Sequence, residues 1–320
     1  MLKNLRNRLF PITFLLITGV CFLLLSISSP EKSLTTTQID SVFASGYHLS
    51  SPPLPNKLQF AGEDVPVDYY DVREALDREL LINVYWQSNI LLYCKRAYRY
   101  FPVIEPILKA EGIPDDFKYL ALIESGLLNV VSPAKAAGIW QFMKETGISC
   151  GLEISEDVDE RYHLEKATFA ACKYLKQSYN QHGSWTLAAA AYNMGDGGVK
   201  RVTTGQQTTS YWDLLLNDET ARYVYRILAA KIILSNPKDY GIHLRMEDMY
   251  QPLSVKSITV DTSIADLVSF ARSWNISYKE FKSLNPWLRT DKLTNKLNKS
   301  YNLVVGQPKY RSYRNQIGNF

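Results

Sequence analysis

Apolar residues recur at helical spacing along most of the chain between Asp71 and about Pro237, which is the pattern of helices with one buried face. Turn-forming residues interrupt this pattern near 112–114, 132–133, 147–151 and 195–198. Strand-type alternation is scarce in the same region. The sequence therefore predicts a mainly α protein, with one compact helical domain over residues 71–245.

A different pattern follows a connector around residues 246–255. A short strand-like run at 257–260 precedes helix-like stretches at 263–274 and 277–284, and an extended run follows at 301–305. The order strand, helix, helix, strand predicts a small, independent α+β module over residues 256–308.

The start of the chain shows a third pattern, in which bases precede a continuous apolar run. Lys3, Arg6 and Arg8 come directly before the run from Phe10 to Ile27. This layout is typical of an export signal over residues 1–29. Because the run is close to the roughly 20 residues that span a bilayer, and no Ala-x-Ala site follows it, a cleaved signal and an uncleaved membrane anchor are both compatible with it.

Residues 30–70 are rich in Ser and Thr and then in Pro, without sustained periodicity, which predicts a linker. The export signal and the linker together predict a protein of the periplasm or cell envelope, with membrane contact through its N-terminal segment. No motif indicates a protein partner.

Charge and composition narrow the classes of partner and cofactor. Without the three bases of the signal the chain has 33 basic and 32 acidic residues, and such a near-neutral domain argues against nucleic acid. The four histidines fit no metal-ligand spacing, and no nucleotide or flavin motif is present. We therefore expect no metal and no cofactor.

Three cysteines lie beyond the apolar run, at Cys94, Cys150 and Cys172. An odd number cannot all pair within one chain, and no Cys-x-x-Cys spacing is present. Two alternatives follow for Cys150 and Cys172: a disulfide in an oxidising compartment, or two buried thiols.

Glu124 is the strongest candidate for acid–base chemistry. A predicted helix begins with the helix-start residues 114–116, stops at Gly126 and is apolar nearly all round. Glu124 lies at the end of its apolar stripe, where desolvation and the negative end of the helix dipole disfavour the charged form. We expect a raised pKa, which suits a general acid. A solvent-facing or ion-paired glutamate is the structural alternative.

The neighbouring residues form three ordered motifs, which resemble those of lytic transglycosylases. The motifs are Glu124-Ser125-Gly126, Ser132-Pro133-Ala134-Lys135-Ala136-Ala137-Gly138-Ile139-Trp140-Gln141-Phe142-Met143 and Ala190-Ala191-Tyr192-Asn193-Met194-Gly195. The resemblance is strongest to the membrane-bound D-type branch and extends over about residues 75–240. It implies the goose-type lysozyme-like fold, and several ordered motifs are more specific than one.

The resemblance implies that Glu124 is the catalytic acid/base. The substrate-binding residues that it implies are Ser125, Gln141, Met143, Tyr192, Asn193 and Tyr223. By this resemblance, Ser125 is expected to support the orientation of Glu124, and Tyr223 to hold Glu124 by a hydrogen bond. The resemblance further implies that Gln141 and Met143 line the glycan cleft and that Tyr192 and Asn193 contact the acetamido sugar.

Structural alternatives exist for several of these positions. The apolar side chains among residues 140–143 have the spacing of core residues. Tyr192 is compatible with a packing role, and Asn193 with a helix C-cap before the glycines that follow it. Lys135 stands where the family commonly has Gly, which changes one wall of the cleft without touching the acid.

The implied reaction needs one carboxylate. Ordinary glycosidases use two, and the further candidates Asp157, Asp159 and Asp196 lie among polar or Gly-rich neighbours that predict surface or cap positions. The resemblance implies cleavage of peptidoglycan glycan strands between N-acetylmuramic acid and N-acetylglucosamine, with 1,6-anhydromuramoyl ends. The alternatives are a hydrolytic muramidase and a non-catalytic cell-wall-binding protein.

The C-terminal module resembles a lysin-motif (LysM) repeat in a degenerate form. The matching segments are 266–268, 270–271, 276–277, 284–286 and 303–305, whereas residues 261–264 and 305–306 depart from the usual ends of the repeat. The resemblance implies glycan binding, which raises the local concentration of the enzyme on the wall. A structural appendage is the alternative.

Overall fold

The computed structural model describes residues 50–308 and 310–312. The predicted export signal or anchor at residues 1–29, and the predicted linker up to residue 49, lie outside the described residues. Within the described part of the chain, no helix has both the length and the apolar composition needed to cross a membrane.

The helical part begins with a small antiparallel hairpin, β1 (Gln59–Phe60) and β2 (Glu63–Asp64). Its helices are α1 (Tyr70–Tyr85), α2 (Gln87–Ala110), α3 (Phe117–Ser125), α4 (Lys144–Ser149), α5 (Leu164–His182), α6 (Trp185–Met194), α7 (Asp196–Gln206) and α8 (Asp218–Ser235). Short 3-10 turns lie at Glu160–Tyr162, Tyr211–Asp213, Pro237–Tyr240 and Met246–Asp248. The predicted mainly α class is confirmed.

Helix α8 packs against α1, α3 and α6 in the centre of this part. Its buried residues include Tyr223, Val224, Ile227 and Leu228, at the helical spacing that turns one face toward the core. Helix α3 is buried on several sides, as its apolar composition predicts. This packing places the end of α3 beside α8, so that Glu124 and Tyr223 meet.

Part of the predicted linker belongs to the core. Phe60 is fully buried, and Val65 and Val67 are nearly so. The ring of Phe60 contacts that of Phe117 edge to face, with 5.4 Å between centroids. The interpretation of residues 30–70 as a linker is therefore wrong for its last part, because these isolated apolar residues show no period and yet fill gaps between helices.

The same hairpin caps a helix that is remote in sequence. The carboxylate of Glu63 accepts hydrogen bonds from the hydroxyl of Ser184 at 2.9 Å and from the backbone N–H of Thr186 at 3.0 Å. An acidic side chain at a helix N-terminus satisfies N–H groups that have no partner within the helix and also complements the helix dipole. Glu63 therefore fixes the start of α6, the helix that carries Tyr192 and Asn193.

The C-terminal module contains β3 (Val255–Val260), α9 (Leu267–Ser273), α10 (Tyr278–Leu284) and β4 (Tyr301–Gly306). The two strands pair antiparallel, with Val255 opposite Gly306 and Val260 opposite Tyr301. The predicted order strand, helix, helix, strand is confirmed.

The core of the module is shared with the helical part, so the module is not the independent unit that its pattern predicts. Ala137, Val158 and Tyr162 of the helical part belong to the same buried cluster as Trp287 and Leu288 of the module. The pattern of a module alone cannot show this, because the residues that complete its core lie more than a hundred positions upstream.

The three cysteines of the described chain are buried, free thiols. Of the two alternatives for Cys150 and Cys172, the structure therefore contains the thiols. Burial raises the pKa of the Cys94 thiol to about 11 and that of Cys172 to about 12, which disfavours the reactive thiolate.

Candidate active site

Helix α3 ends in a way that presents Glu124. Its C-cap, Gly126, has φ 61°, a left-handed conformation that glycine adopts without a steric penalty. The carbonyl of Gly126 accepts a hydrogen bond from Arg96 at 3.0 Å. A Cβ atom at residue 126 would lie 3.0 Å from the Arg96 guanidinium and 3.1 Å from the Tyr93 ring. Both the backbone conformation and the close packing therefore favour glycine directly after the Glu-Ser pair.

The environment of Glu124 stabilises its protonated form. Burial raises the pKa of the Glu124 carboxyl above its ordinary value of 4.5, and the negative charge of Glu219 acts in the same direction. The hydroxyl of Tyr223, which donates a hydrogen bond to Glu124 Oε1, and the positive charge of Arg226 both lower this pKa in part. Desolvation dominates, and the direction predicted from the sequence is confirmed.

Tyr223 itself lies in the protein interior, with 2% of its surface exposed. Burial and the charge of Glu124 raise the pKa of its phenol well above the ordinary value. The hydroxyl therefore remains a donor across the physiological pH range and holds one carboxylate oxygen of Glu124.

Ser125 connects the end of α3 with the turn at residues 135–142. Its hydroxyl donates to the carbonyl of Ile139 at 2.7 Å. Gln141 has φ 50° within this turn, and its amide nitrogen donates to the carbonyls of Gly138 at 2.6 Å and Val130 at 3.1 Å. Gln141 thus helps to shape its own turn.

Tyr192 and Asn193 lie at the end of α6 and have hydrogen-bond partners within the fold. The Tyr192 hydroxyl donates to the carbonyl of Trp140 at 2.7 Å. The Asn193 amide oxygen accepts from the Thr220 hydroxyl at 2.7 Å, and its nitrogen donates to Glu219 at 3.2 Å. These hydrogen bonds join the C-terminal end of α6 to the N-terminal end of α8.

The apolar positions among residues 140–143 differ from one another. Trp140 is fully buried and its indole nitrogen donates to the Thr168 hydroxyl at 2.9 Å. Phe142 is also buried, so both side chains are core residues, which was the structural alternative to a place in the glycan cleft. Met143 precedes α4 as its N-cap and is 42% exposed. Among the described contacts, none joins Met143 to Glu124.

The three further carboxylates have structural partners. Asp157 and Asp159 are each 7% exposed, so the predicted surface or cap position is wrong for Asp157, whereas the cap is confirmed for Asp159. Asp159 caps the 3-10 turn at 160–162 and pairs with Arg161 at 2.7 Å. Asp196 lies in the first turn of α7 and contacts His182 at 3.1 Å. The burial of Asp157 arises from its partners Thr290 and Thr294 in the C-terminal module, which local polarity does not reveal.

Two charged residues at the site were not assigned a role from the sequence. Glu219 and Arg226 lie four residues before and three residues after Tyr223 on α8, which places all three on one face of the helix. Both charges act on Glu124. Their helical spacing from Tyr223 is the sequence signal that could have identified them.

A recess of about 420 Å³ is lined in part by Glu219 and Arg226. Its other lining residues are Glu79, Ile82, Asn83, Trp86, Asn89, Tyr93, Ile123, Asp218 and Arg222. Trp86 is 59% exposed, at the junction of α1 and α2. The recess therefore combines an exposed aromatic face with amide and charged groups close to Glu124.

Comparison with known proteins agrees with this geometry. The family described as "Transglycosylase SLT domain" matches residues 102–215, and "Soluble lytic transglycosylase C-terminal LysM-like domain" matches residues 256–309. The proteins named "Membrane-bound lytic murein transglycosylase D" of Escherichia coli strain K12 and of Escherichia coli O6:H1 are each 32% identical to this chain over 196 residues.

These alignments cover 59% of this chain and 43% of each relative, so the chain spans less than half the length of the curated relatives it matches. The matched region of the first family contains Glu124, the turn at 135–142 and the end of α6. The chain thus carries a transglycosylase SLT domain followed by a soluble lytic transglycosylase C-terminal LysM-like domain.

Proposed function

We propose that this protein is a peptidoglycan lytic transglycosylase in which Glu124 is the single catalytic acid/base. It cleaves the β-1,4 bond between N-acetylmuramic acid and N-acetylglucosamine and leaves 1,6-anhydromuramoyl ends. The observation that carries this proposal is a desolvated carboxyl with a raised pKa, held by Tyr223, on a transglycosylase SLT domain.

The proposed reaction returns the acid to its starting state. Protonated Glu124 donates its proton to the glycosidic oxygen, and the bond from C1 of the muramoyl sugar to that oxygen breaks. The acetamido group of the same sugar supports the developing positive charge. The 6-hydroxyl then attacks C1, and its proton passes to Glu124. Because the attacking group belongs to the substrate, no second reactant has to be captured.

The residues around Glu124 support this role through position. We assign to Ser125 and Tyr223 the orientation of Glu124, through the Ile139 carbonyl and Oε1 respectively. Gln141, Tyr192 and Asn193 belong to the proposed glycan cleft, in which fixed hydrogen bonds hold their side chains before substrate arrives. Met143 is proposed as an outer lining residue because its side chain is exposed.

One observation favours a hydrolytic muramidase as the second candidate. The charge of Glu219 acts on Glu124, and its Oε1 accepts a hydrogen bond from Asn193, so an oriented second carboxylate lies within electrostatic range. A hydrolase would use it to activate water. The products distinguish the two functions.

We propose that the C-terminal module contributes to binding of the wall glycan and that the protein acts in the cell envelope. The relatives in Escherichia coli are named membrane-bound murein transglycosylases, and the basic and apolar start of this sequence is that of an exported chain. Contact of the N-terminal segment with the membrane is part of the same proposal.

The test is digestion of purified peptidoglycan by the protein lacking residues 1–30, with analysis of the released muropeptides by mass spectrometry. Anhydromuramoyl ends, one water lighter than reducing ends, are expected from the unmodified site and should disappear in Glu124→Gln. Glu219→Gln should preserve the anhydro products. Reducing muramic ends that depend on Glu219 would instead establish the hydrolase, and cleavage by neither enzyme nor variant would favour a binding protein.

A further inference from the structure

The junction between the module and the helical domain is a built interface with three kinds of contact. Asp157 accepts hydrogen bonds from the Thr290 hydroxyl at 2.6 Å and from the backbone N–H of Thr294 at 3.0 Å. Its own carbonyl accepts from the N–H of Arg289 at 2.7 Å. The buried carboxylate of the helical domain is thus satisfied by the module, and it would lose these partners if the module moved away.

Backbone pairing and packing extend the interface. Val158 pairs with Leu288 as an isolated β-bridge, and the N–H of Asp159 donates to the carbonyl of Trp287 at 2.8 Å. The guanidinium of Arg289 lies 3.9 Å from the centre of the Tyr162 ring. Residues at both ends of the segment 153–163 are engaged, since Glu153 also accepts from Tyr301 at 3.1 Å and Lys299 at 3.0 Å.

The same segment supports the turn that carries Gln141. Arg161 donates from one nitrogen to the carbonyls of Lys135 at 3.1 Å and Phe142 at 3.2 Å, which lie at the two ends of the turn. Its other nitrogens are held by Asp159. Gly138, inside the turn, lies so close to the Arg161 carbonyl that a Cβ atom there would overlap it.

We propose that the C-terminal module is a brace for the active site and that Arg161 is the positioning residue that transmits its effect. The module clamps the segment 153–163, and Arg161 on that segment fixes the turn at 135–142. The turn in turn meets Ser125 through Ile139 and Tyr192 through Trp140. This inference rests on the proposed function for its catalytic consequence, although the mechanical coupling is independent of it.

A brace and a flexibly tethered glycan-binding module differ in a measurable way. A tether raises the local concentration of the enzyme on insoluble wall and has no effect on cleavage of a soluble glycan chain. A brace affects the soluble reaction as well, because a displacement of about 1 Å in an active site can lower the rate by up to about 100-fold.

The experiment compares Trp287→Ala with Trp274→Ala in the full chain. Both remove one tryptophan from the module, but Trp287 is 3% exposed in the shared core, whereas Trp274 is 36% exposed and contacts Lys256. We measure kcat and KM on soluble glycan strands, and amide hydrogen exchange of residues 131–142. Trp287→Ala should lower kcat about tenfold or more and accelerate exchange in the turn, while Trp274→Ala should change neither.

Arg161→Gln and Arg161→Lys keep the test decisive if Trp287→Ala fails to fold. Arg161→Gln should reproduce the loss of kcat and the faster exchange with the module still docked, and Arg161→Lys should restore part of both. Unchanged kcat and unchanged exchange in Arg161→Gln, or a Trp287 variant impaired only on insoluble wall, would overturn the brace. If the unmodified protein cleaves no glycan, the proposed function fails, and hydrogen exchange still decides the brace by itself.

Discussion

At the scale of single residues, the chemistry of Glu124 depends on a balance of burial and contacts. Burial and Glu219 raise its pKa, while Tyr223 and Arg226 lower it. A carboxyl that must first donate and then accept a proton needs a pKa near the working pH. The two lowering contacts therefore offset part of the rise in pKa that burial causes.

Tyr223→Phe should move the pH profile of the enzyme in a defined direction. The lost hydrogen bond stabilises the charged carboxylate, so its removal raises the pKa of Glu124 further. The protonated form of Glu124, which donates the proton, then persists to higher pH. The alkaline limb of the kcat/KM profile should therefore move to higher pH. The maximal rate should fall about tenfold or more, since a hydrogen bond to a charged group contributes about 1.5–3 kcal/mol.

Tyr225→Phe is the matched control on the same helix. Tyr225 is buried, and Asp71 is the one charged group that contributes to the rise of its pKa. Loss of the Tyr225 hydroxyl should leave the pH profile of the enzyme unchanged. A Tyr223→Phe profile that coincides with that of the unmodified enzyme would contradict the assigned role of the hydroxyl.

At the scale of elements, the turn at residues 135–142 depends on one glycine. Gly138 has φ 83° and faces the Arg161 carbonyl without room for a Cβ atom, whereas Gly183, with φ 71°, has no atom within 4 Å of such a position. Both positions therefore favour glycine because of their backbone conformation. Only residue 138 also requires glycine because a Cβ atom would overlap a neighbour.

Gly138→Ala should destabilise the protein by more than Gly183→Ala. The control variant incurs only the left-handed strain of an alanine, about 1–2 kcal/mol, while Gly138→Ala must also displace the segment that carries Arg161. Chemical denaturation measures both free energies of unfolding. Equal decreases in the free energy of unfolding would show that the segment carrying Arg161 can move away from residue 138 without destabilising the protein.

Trp86→Ala tests whether the recess beside Glu219 and Arg226 belongs to the glycan site. An exposed aromatic ring beside amide groups is a lining suited to a neutral, hydroxyl-rich ligand. We expect a KM for long glycan strands raised several-fold, with kcat preserved. Tyr70→Ala, which removes a 78% exposed aromatic ring at the other end of α1, is the control, and an equal effect of both variants would remove the recess from the site.

At the scale of the whole molecule, two segments near the ends of the described chain pack against parts of the helical domain that are remote from them in sequence. The hairpin at 59–64 covers Phe117 and caps α6, and the C-terminal module covers the segment 153–163. The helices between them hold the active-site residues. The helices that carry the active-site residues therefore depend for support on segments that come much earlier and much later in the sequence.

A protein that begins at residue 71 should be markedly less stable than one that begins at residue 50. The shorter chain loses Phe60, whose removal alone corresponds to about 3–5 kcal/mol, together with the Glu63 cap of α6. Thermal unfolding followed by circular dichroism compares the two. Identical midpoints would mean that residues 50–70 act as the linker that their composition indicates.

Much of the fold and part of the site followed from local patterns. Helical periodicity, the end of α3 at Gly126 and the strand, helix, helix, strand order of the module are local features, and each depends on residues within a few positions of one another. The direction of the Glu124 pKa was predicted in the same way, because the apolar stripe of its own helix indicates which face is turned toward the core.

Contacts between distant segments were beyond the reach of those patterns. Asp157 and Asp159 have polar neighbours in sequence but are buried and bonded to the module, through the Thr294 N–H and the Trp287 carbonyl respectively. Phe60 belongs to a stretch with the composition of a linker, yet it fills a gap beside Phe117. Local sequence was sufficient to predict which helices form and which carboxyl lies on an apolar stripe, since both depend on near neighbours. Which segments support the site depended on tertiary packing, because burial of an isolated side chain is set by what the rest of the chain packs against it.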